Sequence, residues 1–404
     1  MSNLNILEKK RRDILRRIQS LQTLKRKGDV LKLVRTGEGS LAIGGDEWDK
    51  NPMLLGVLNG VIDLETGILR PGKPEDYIKT IAPTIYCGLD CPSPIWERFI
   101  SEVFDGDEKL VTYIQRLLGY GITGLTNYHV IPIFWGPNGR NGKSTILETL
   151  KYVLGETAHK TRPEALLESR FAPSRGAADA DTLAFRGRRL IWASESEEGR
   201  SLEAARLKEL CGGDTLNARA PYGKRPVEFQ ASHLLILITN NKPAAPANDN
   251  ALWERIHLVP FNMRFVDNPS APNERKADHD LQNKLKAEAA GILTWLVKGC
   301  LEFQKIGLNP PVSVRCATSE YRADEDDIGQ FIKEMFICSP DAFEKMGDIY
   351  HEYKLWHERC GLPGKPLSMK KLSPRLKSMG FVRDDSGRNV TFKGLRLRNK
   401  EDDL

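Results

Sequence analysis

The stretch IFWGPNGRNGKSTILETLKYVLG, residues 133–155, decides the fold class of this chain. An apolar run at 131–135 predicts a buried strand, and a loop rich in glycine and asparagine leads from it into a helical pattern. Glycines let backbone N–H groups approach phosphate oxygens closely, and a helix N-terminus adds partial positive charge at the same place. The stretch therefore predicts a cradle for nucleotide phosphates, formed by Gly136, Pro137, Asn138, Gly139, Arg140, Asn141, Gly142, Lys143, Ser144 and Thr145.

The spacing of this cradle differs by one residue from the usual G-x-x-x-x-G-K-[ST] pattern. Five residues, not four, separate Gly136 from Gly142. Either the loop is one residue longer than standard, or Gly139 takes over part of the turn. In both cases we expect Lys143 to reach the β and γ phosphates of ATP and the Ser144 hydroxyl to bind Mg²⁺.

Polar residues follow two further apolar runs. RRLIWASESEEG (188–199) predicts a strand that ends at Glu195, which we expect to bind the metal and polarise the attacking water, with Glu197 as the alternative. ASHLLILITNN (231–241) ends at Asn240, an amide that could orient the same water. Together with RIHLVPF (255–261), these buried runs alternate with helical segments and predict an α/β fold built on a parallel sheet.

The flanking segments have simpler patterns. We predict a basic helix at 4–35, short strands and a hairpin at 52–90, and two helices at 94–124 that meet at Asp105-Gly106. Residues 278–306 are predicted to be helical and 323–327 a polar linker. A helix, a basic helix at 368–380 and a basic hairpin then follow in the order of a winged helix. The predicted domains are an N-terminal region (1–91), an ATPase core (92–270), a helical extension (271–325) and a winged-helix domain (326–404).

Composition and charge narrow the class of protein. The 404-residue chain is 40% hydrophobic and 28% charged, and we find neither a membrane span nor a secretory signal, so we expect a cytoplasmic protein of a bacterial or phage-infected cell. Seven scattered cysteines argue against a disulfide framework. Eleven Lys or Arg against four acids in residues 1–40, and eleven against five in 363–404, place positive charge at both ends, as a polyanion partner would require.

Seven motifs in this order resemble the superfamily 3 helicases of phage and plasmid primases, which are related to the poxvirus primase-helicase. The resemblance extends from about Pro52 to Gly394. The motifs are LLGVLNGVIDLETG (54–67), WERFI…YIQRLLGYGITG (96–124), GRNGKST (139–145), SESEEG (194–199), LKELCGGDTLNAR (207–219), LITNNKP (237–243) and LWERIHLVPF (252–261).

The resemblance implies an AAA+-type ATPase that assembles into a ring, usually a hexamer, and moves 3′-to-5′ along single-stranded or forked DNA. Arg255 would be an arginine finger that acts on the ATP of the neighbouring subunit. A hairpin between the acidic strand and LITNN would project into the ring channel and contact DNA through Arg219, Lys224 and Arg225. DNA contacts in the winged helix would come from Lys370, Lys371, Arg375, Lys377, Arg388 and Lys393.

One departure from the family is that no aspartate-rich polymerase constellation precedes the helicase motifs. We therefore predict a helicase without its own primase, either a fragment or a stand-alone protein with a separate primase or loader. Three alternatives stay open at this point. The chain could be an ATP-dependent remodeller or loader that does not unwind DNA, an ATP-switched DNA-binding protein, or a small-molecule kinase.

Overall fold

The computed structural model describes residues 2–36, 47–168, 179–195, 197–220, 223, 225–362, 365–399 and 402. The chain divides into two units, residues 1–50 and residues 51–404. The first unit contains helices α1 (Ser2–Leu21) and α2 (Leu24–Val34). The predicted single helix at 4–35 is therefore wrong in its continuity. The Thr23 side chain accepts a hydrogen bond from the Arg26 N–H and starts a second helix as its N-cap.

The strands and the other α-helices of the described residues lie in the second unit. The strands are β1 (Leu54–Val57), β2 (Gly60–Asp63), β3 (Ile68–Arg70), β4 (Ile81–Ala82), β5 (Ile131–Trp135), β6 (Ala158–Thr161), β7 (Leu190–Glu195), β8 (Thr215–Ala218), β9 (Val227–Gln230), β10 (Leu234–Thr239), β11 (Ile256–Pro260), β12 (Arg264–Val266), β13 (Glu274–Lys276), β14 (Phe336–Lys345), β15 (Val382–Asp384) and β16 (Thr391–Leu397).

The helices of this unit are α3 (Pro94–Val103), α4 (Glu108–Gly121), α5 (Lys143–Leu154), α6 (Ala180–Leu183), α7 (Ala204–Cys211), α8 (Asn250–Trp253), α9 (Leu281–Ala287), α10 (Ala289–Ile306), α11 (Val312–Asp324), α12 (Asp327–Met335), α13 (Met346–Arg359) and α14 (Met369–Ser378). The short strands predicted at 52–90 form a sheet in the order β3-β2-β1-β4. The two helices predicted at 94–124 are confirmed as α3 and α4. The helical pattern at 278–306 is divided between α9 and α10.

A parallel five-stranded sheet forms the centre of the unit, in the order β11-β5-β10-β7-β6. All six residues of β10 are buried, and they alternate between two hydrophobic cores. Leu234, Ile236 and Ile238 belong to the core that contains α4, α5 and α10, whereas Leu235 and Leu237 belong to the core that contains α7 and α11. Because helices cover both faces, the central strand β10 is apolar from Leu234 to Ile238, and the predicted parallel α/β sheet is confirmed.

The C-terminal segment has its own core, which includes Phe331, Trp356, Leu372 and Phe392. Its elements follow the order α12, β14, α13, α14, β15 and β16, and its three strands pair in the order β14-β16-β15. The polar linker predicted at 323–327 is shorter in the structure, because α11 ends at Asp324 and α12 begins at Asp327. Its acidic residues make contacts instead. Asp324 pairs with Lys242 at 2.9 Å, and a Glu325 carboxylate oxygen accepts a hydrogen bond from the Ala245 N–H at 2.8 Å.

Candidate functional site

Three neighbouring strands of the central sheet end in one row. Thr239, the last residue of β10, lies opposite Trp135 of β5 on one side and Glu195 of β7 on the other. The chain turns into the glycine-rich loop (136–142) directly after Trp135, where the Gly136 N–H donates to the Thr239 carbonyl at 3.3 Å. Asn240 follows Thr239. The register therefore brings the predicted loop, acid and amide to the same edge of the sheet.

The glycines of this loop are required by its backbone. A Cβ on Gly136 would lie 2.2 Å from the Asn141 Nδ2 atom and 2.6 Å from the Phe261 carbonyl oxygen. Gly142, which caps α5, has a φ of +86°, a conformation that favours glycine. Gly139 and Arg140 also have positive φ values, 62° and 51°. The turn thus falls at Gly139 and Arg140 and accommodates the fifth residue between the two outer glycines.

Lys143, at the start of α5, lies at the centre of the site. Its ammonium group donates hydrogen bonds to the Gly136 carbonyl at 3.0 Å, to Asn141 Oδ1 at 2.8 Å and to Asn240 Oδ1 at 3.1 Å. Only 3% of the residue is exposed, and burial lowers the pKa of Lys143 to about 8. All three acceptors are uncharged, so a buried positive charge is held by neutral dipoles. Such a charge is suited to an incoming anion.

The other predicted phosphate and metal ligands of the loop and of α5 differ in how far they are exposed to solvent. Ser144 is exposed and Thr145 is half-buried, both in the first turn of α5. Pro137, Asn138 and Arg140 are exposed, whereas Gly136 and Asn141 are buried. The loop therefore presents an open outer rim over a buried lysine. A hydroxyl at position 144 and a carboxylate at position 195 are oxygen donors of the type that Mg²⁺ prefers.

Glu195 is buried, with 6% of the residue exposed. Its Oε1 atom accepts a hydrogen bond from the Glu197 N–H at 2.7 Å, and its Oε2 atom lies 3.6 Å from Arg200 Nη1. The side chain of Glu197 is largely exposed and lies 3.5 Å from the same guanidinium. Glu195 rather than Glu197 thus lies at the strand end with a fixed carboxylate.

Arg200 is a member of this cluster that sequence reasoning missed. Its side chain is 9% exposed, and it also lies 3.9 Å from Glu164. One buried guanidinium therefore faces three carboxylates, those of Glu164, Glu195 and Glu197. The sequence signal was weak, because Arg200 is only the basic residue that ends the acidic run SESEEGR. We interpret it as a positioning residue for Glu195.

Arg255 lies away from this edge. It precedes β11, whose Ile256 pairs with Ile131 and whose Pro260 pairs with Trp135, so Arg255 is at the opposite end of the sheet from the glycine-rich loop. Its Nη1 atom donates to the Ala251 carbonyl at 2.5 Å. The guanidinium is close to Cys211, a thiol whose pKa burial raises to about 11 against a lowering effect of Arg255. The structure does not bring Arg255 to the glycine-rich loop of its own chain.

The predicted DNA contacts belong to two regions, the segment around β8 and β9 and the C-terminal segment. β8 and β9 form an antiparallel pair, and Arg219 and Arg225, which follow and precede these strands, are exposed. Lys224, the remaining predicted contact, lies outside the described residues, as do Pro221 and Tyr222 of the predicted tip. The structure thus shows the base of this hairpin in the predicted place between Glu195 and Asn240.

In the C-terminal segment, the predicted basic residues have different surroundings. Lys370, Lys371 and Lys377 are exposed on α14, and Arg388 is exposed between β15 and β16. Arg375 is half-buried and lies 4.0 Å from Asp326. Lys393 pairs with Asp384 at 2.9 Å, and this pair contributes to a pKa of Asp384 far below its usual range, which is lowered first by hydrogen bonds from Ser386. Within this segment, the exposed positive charge is therefore concentrated on α14.

Two further features are absent from the described residues. No helix among them is long and apolar enough to cross a lipid bilayer. In the same residues, no group of three or more His, Cys, Asp or Glu side chains is arranged to hold a metal ion.

Comparisons with known proteins match two regions of the chain to families. Residues 2–105 match the family described as D5 N terminal like. Residues 134–255 match a family of unknown function, DUF5906. The second match contains the glycine-rich loop, Glu195, Asn240 and Arg255.

Curated relatives come from several viruses. The chain is 28% identical over 339 residues to protein L207/L206 of Acanthamoeba polyphaga mimivirus and 28% identical over 418 residues to protein 121R of Invertebrate iridescent virus 3, both provisionally named helicases. It is 24% identical over 387 residues to C962R of African swine fever virus, provisionally named a primase. These alignments cover 80%, 97% and 88% of this chain but 35%, 43% and 39% of the relatives. The chain thus spans about two fifths of the length of these relatives.

Among solved structures, the apo C-terminal region of NrS-1 is similar, with a TM-score of 0.50 and 12% identity over 91% of this chain and 90% of that chain. At this identity the likeness concerns the fold alone. The viral relatives and the family match at 2–105 confirm the resemblance that the sequence motifs predict.

Proposed function

We propose that this chain, which is similar to the phage and viral primase-helicases, is an ATP-dependent, ring-forming DNA helicase that acts in replication of a mobile element. The observation that carries the proposal is the convergence of Lys143 and Asn240, whose side chains meet at 3.1 Å in the row of strand ends that includes Glu195. A lysine from a glycine-rich loop, an amide from the next strand and an acid from the strand beyond are the groups that phosphoryl transfer to water requires.

The residues divide the chemistry among them as follows. The N–H groups of the glycine-rich loop and the N-terminus of α5 hold the phosphates, and the ammonium of Lys143 balances their charge. Ser144 and Glu195 would hold Mg²⁺, which would neutralise part of the phosphate charge. Glu195, kept in place by the Glu197 N–H and Arg200, accepts the proton of the attacking water, and Asn240 orients that water.

Binding of a nucleotide would change the contact between Lys143 and Asn240. Lys143 donates to Asn240 Oδ1 at 3.1 Å, so each of these two polar groups has the other as a hydrogen-bond partner. Phosphate oxygens are stronger acceptors for the ammonium than an amide oxygen. An ATP phosphate bound to the ammonium would therefore compete with the Asn240 amide oxygen, and the displaced amide would be available to orient the water.

The proposal for DNA rests on the two basic hairpins and on α14. Contacts from Arg219, Lys224 and Arg225 to phosphates fix position without reading sequence, which suits a protein that moves along DNA. In the C-terminal segment, the order of α12, β14, α13, α14, β15 and β16 supports a winged helix in which α14 carries the exposed lysines. We assign this module to nonspecific duplex contact near the fork.

The first test is steady-state ATP hydrolysis, measured with and without single-stranded DNA at several protein concentrations. We expect the turnover per subunit to rise with both, because a ring completes its sites only when neighbouring subunits meet. The same preparation should displace a strand from a forked duplex. Turnover without strand displacement would favour a loader that does not unwind, and turnover indifferent to DNA and concentration would favour a small-molecule kinase. Absence of ATP binding would overturn the proposal.

The double substitution Lys224→Ala and Arg225→Ala should weaken DNA binding without sequence preference. For single strands, each lost phosphate contact should lower the slope of log K against log salt concentration by about 0.7. Fluorescence anisotropy with labelled single strands at four salt concentrations measures this slope. Lys109→Ala with Lys305→Ala, two exposed lysines on α4 and α10, serves as the control and should keep the wild-type slope. An unchanged slope in the hairpin variant would remove the hairpin from the DNA path.

A further inference from the structure

A cavity of about 400 Å³ lies between α3, the segment around β12 and β13, and α9. Its apolar lining includes Ile95, Phe99, Phe265 and Leu281, and Arg98 and Asp278 contribute polar groups. This volume is within the range of small-molecule sites, which run from about 300 to 1,000 Å³. The lining residues precede the glycine-rich loop in the sequence (95–102) or follow it (265–281), and the fold brings the two segments together.

The cavity adjoins the glycine-rich loop directly. The Phe265 N–H donates to the Arg140 carbonyl at 2.8 Å. A Cβ on Gly142 would lie 3.3 Å from the Phe99 ring, so this ring packs against the last residue of the loop. Helix α9, which contributes Leu281, lies against both α3 and α5. A molecule held by the loop through its phosphates would therefore have the cavity next to it.

The chemistry of the lining favours a flat aromatic group. The rings of Phe99 and Phe265 are 6.2 Å apart, centroid to centroid, at an interplanar angle of 46°. Phe99 is buried, whereas Phe265 is half-buried and so offers part of its face to the cavity. Two of the charged lining residues are engaged elsewhere, Asp278 with Lys284 at 2.6 Å and His279 with Asp267 at 2.7 Å. Asp278 and His279 thus have partners within the chain, and the lining combines aromatic and aliphatic surface with the charged side chains of Arg98, Glu102 and Lys276.

We propose that this cavity receives the base of the nucleotide whose phosphates bind the glycine-rich loop, with Phe265 as the stacking partner. The inference rests on the proposed function, since it needs the phosphates in the loop. It adds a ligand contact that the sequence motifs did not contain. The ligand class is an aromatic heterocycle joined through a sugar to two or three phosphates.

Two ligands separate the base from the phosphates in the test. The equilibrium affinities of ATP and of inorganic tripolyphosphate, which lacks a base, are measured by calorimetry for the wild type and for Phe265→Ala. We expect the substitution to weaken ATP binding about tenfold, the loss typical of one stacked base, and to leave tripolyphosphate binding unchanged. Phe265→Leu, which keeps most of the volume but not the aromatic face, should lose part of the affinity for ATP. Phe343→Ala, a 65% exposed phenylalanine in β14, is the matched control.

The outcomes distinguish this inference from the proposed function. If Phe265→Ala and Phe265→Leu bind ATP as the wild type does, the base lies elsewhere and the inference is overturned while the ATP site stands. If both variants lose ATP and tripolyphosphate equally, Phe265 only supports the loop through Arg140, and the inference is again overturned. If the wild type binds neither ligand, the proposed function itself fails.

Discussion

Lys143→Ala should reduce ATP hydrolysis by roughly 10²–10³-fold or more, the usual loss when one group that stabilises transition-state charge is removed. The ammonium is the positive charge at the centre of the loop, 3% exposed and held by Gly136, Asn141 and Asn240. Without it, the γ-phosphate loses a charge-assisted hydrogen bond, and Asn240 loses its nucleotide-free partner. Initial rates with saturating ATP and single-stranded DNA measure the loss, and calorimetry measures the accompanying loss of ATP affinity.

The control for this prediction is Lys160→Ala. Lys160 makes an exposed ion pair with Glu148 at 3.2 Å and lies in β6, the outermost strand of the central sheet. Its removal should therefore change neither the rate of ATP hydrolysis nor the affinity for ATP. Lys143→Met, which keeps a long side chain, tests whether the alanine variant fails through a packing defect. Both Lys143 variants should retain a cooperative thermal transition. Turnover near the wild-type rate in either of them would exclude the assignment of residues 136–145 as the phosphate site.

The central sheet was predictable from the sequence because both of its faces are buried. A central strand covered on both sides is typically apolar at successive positions, and residues 234–238 show such a run with polar residues directly after it. The edge that carries the site followed from the same reasoning, because parallel strands end together. Lys143 and Asn240 are 97 residues apart in the sequence. The sequence predicts that they lie near each other, but it does not predict the hydrogen bond between their side chains.

Other features depend on tertiary contacts that leave no local pattern. The sequence around Arg200 is acidic, a pattern that is also common at exposed surfaces and does not predict burial. The fold buries its guanidinium between three carboxylates. The acidic residues at 323–327 have the composition of a linker, yet Asp324 and Glu325 hold α11 to the segment after Asn240. The aromatic cavity joins residues more than 150 positions apart, Phe99 and Phe265, and periodicity within either segment cannot indicate it.

Arg255→Ala should keep ATP binding but lower turnover by about 10³–10⁵-fold, the effect of an arginine finger on the transferring phosphoryl group. β11 and β5 run side by side, with Arg255 before the start of β11 and Gly136 after the end of β5. At about 3.3 Å per residue, the two residues are roughly 20 Å apart, which exceeds the reach of an arginine side chain. A catalytic role for Arg255 therefore has to be exerted on a neighbouring subunit. Binding of ATP measured by calorimetry and turnover measured on the same sample separate the two effects.

Mixing experiments decide between a role in trans and a structural role. Neither Arg255→Ala nor Lys143→Ala alone should hydrolyse ATP, but in a mixed head-to-tail ring about a quarter of the interfaces combine an intact Lys143 with an intact Arg255 from the next subunit. An equimolar mixture should therefore recover a measurable fraction of wild-type turnover. Arg255→Lys, which keeps the charge but not the planar fork, should rank between the wild type and the alanine variant. If the mixture stays inactive while each variant keeps its thermal stability and assembles, Arg255 does not act across the interface, and its contacts with Ala251 and Cys211 describe its whole role.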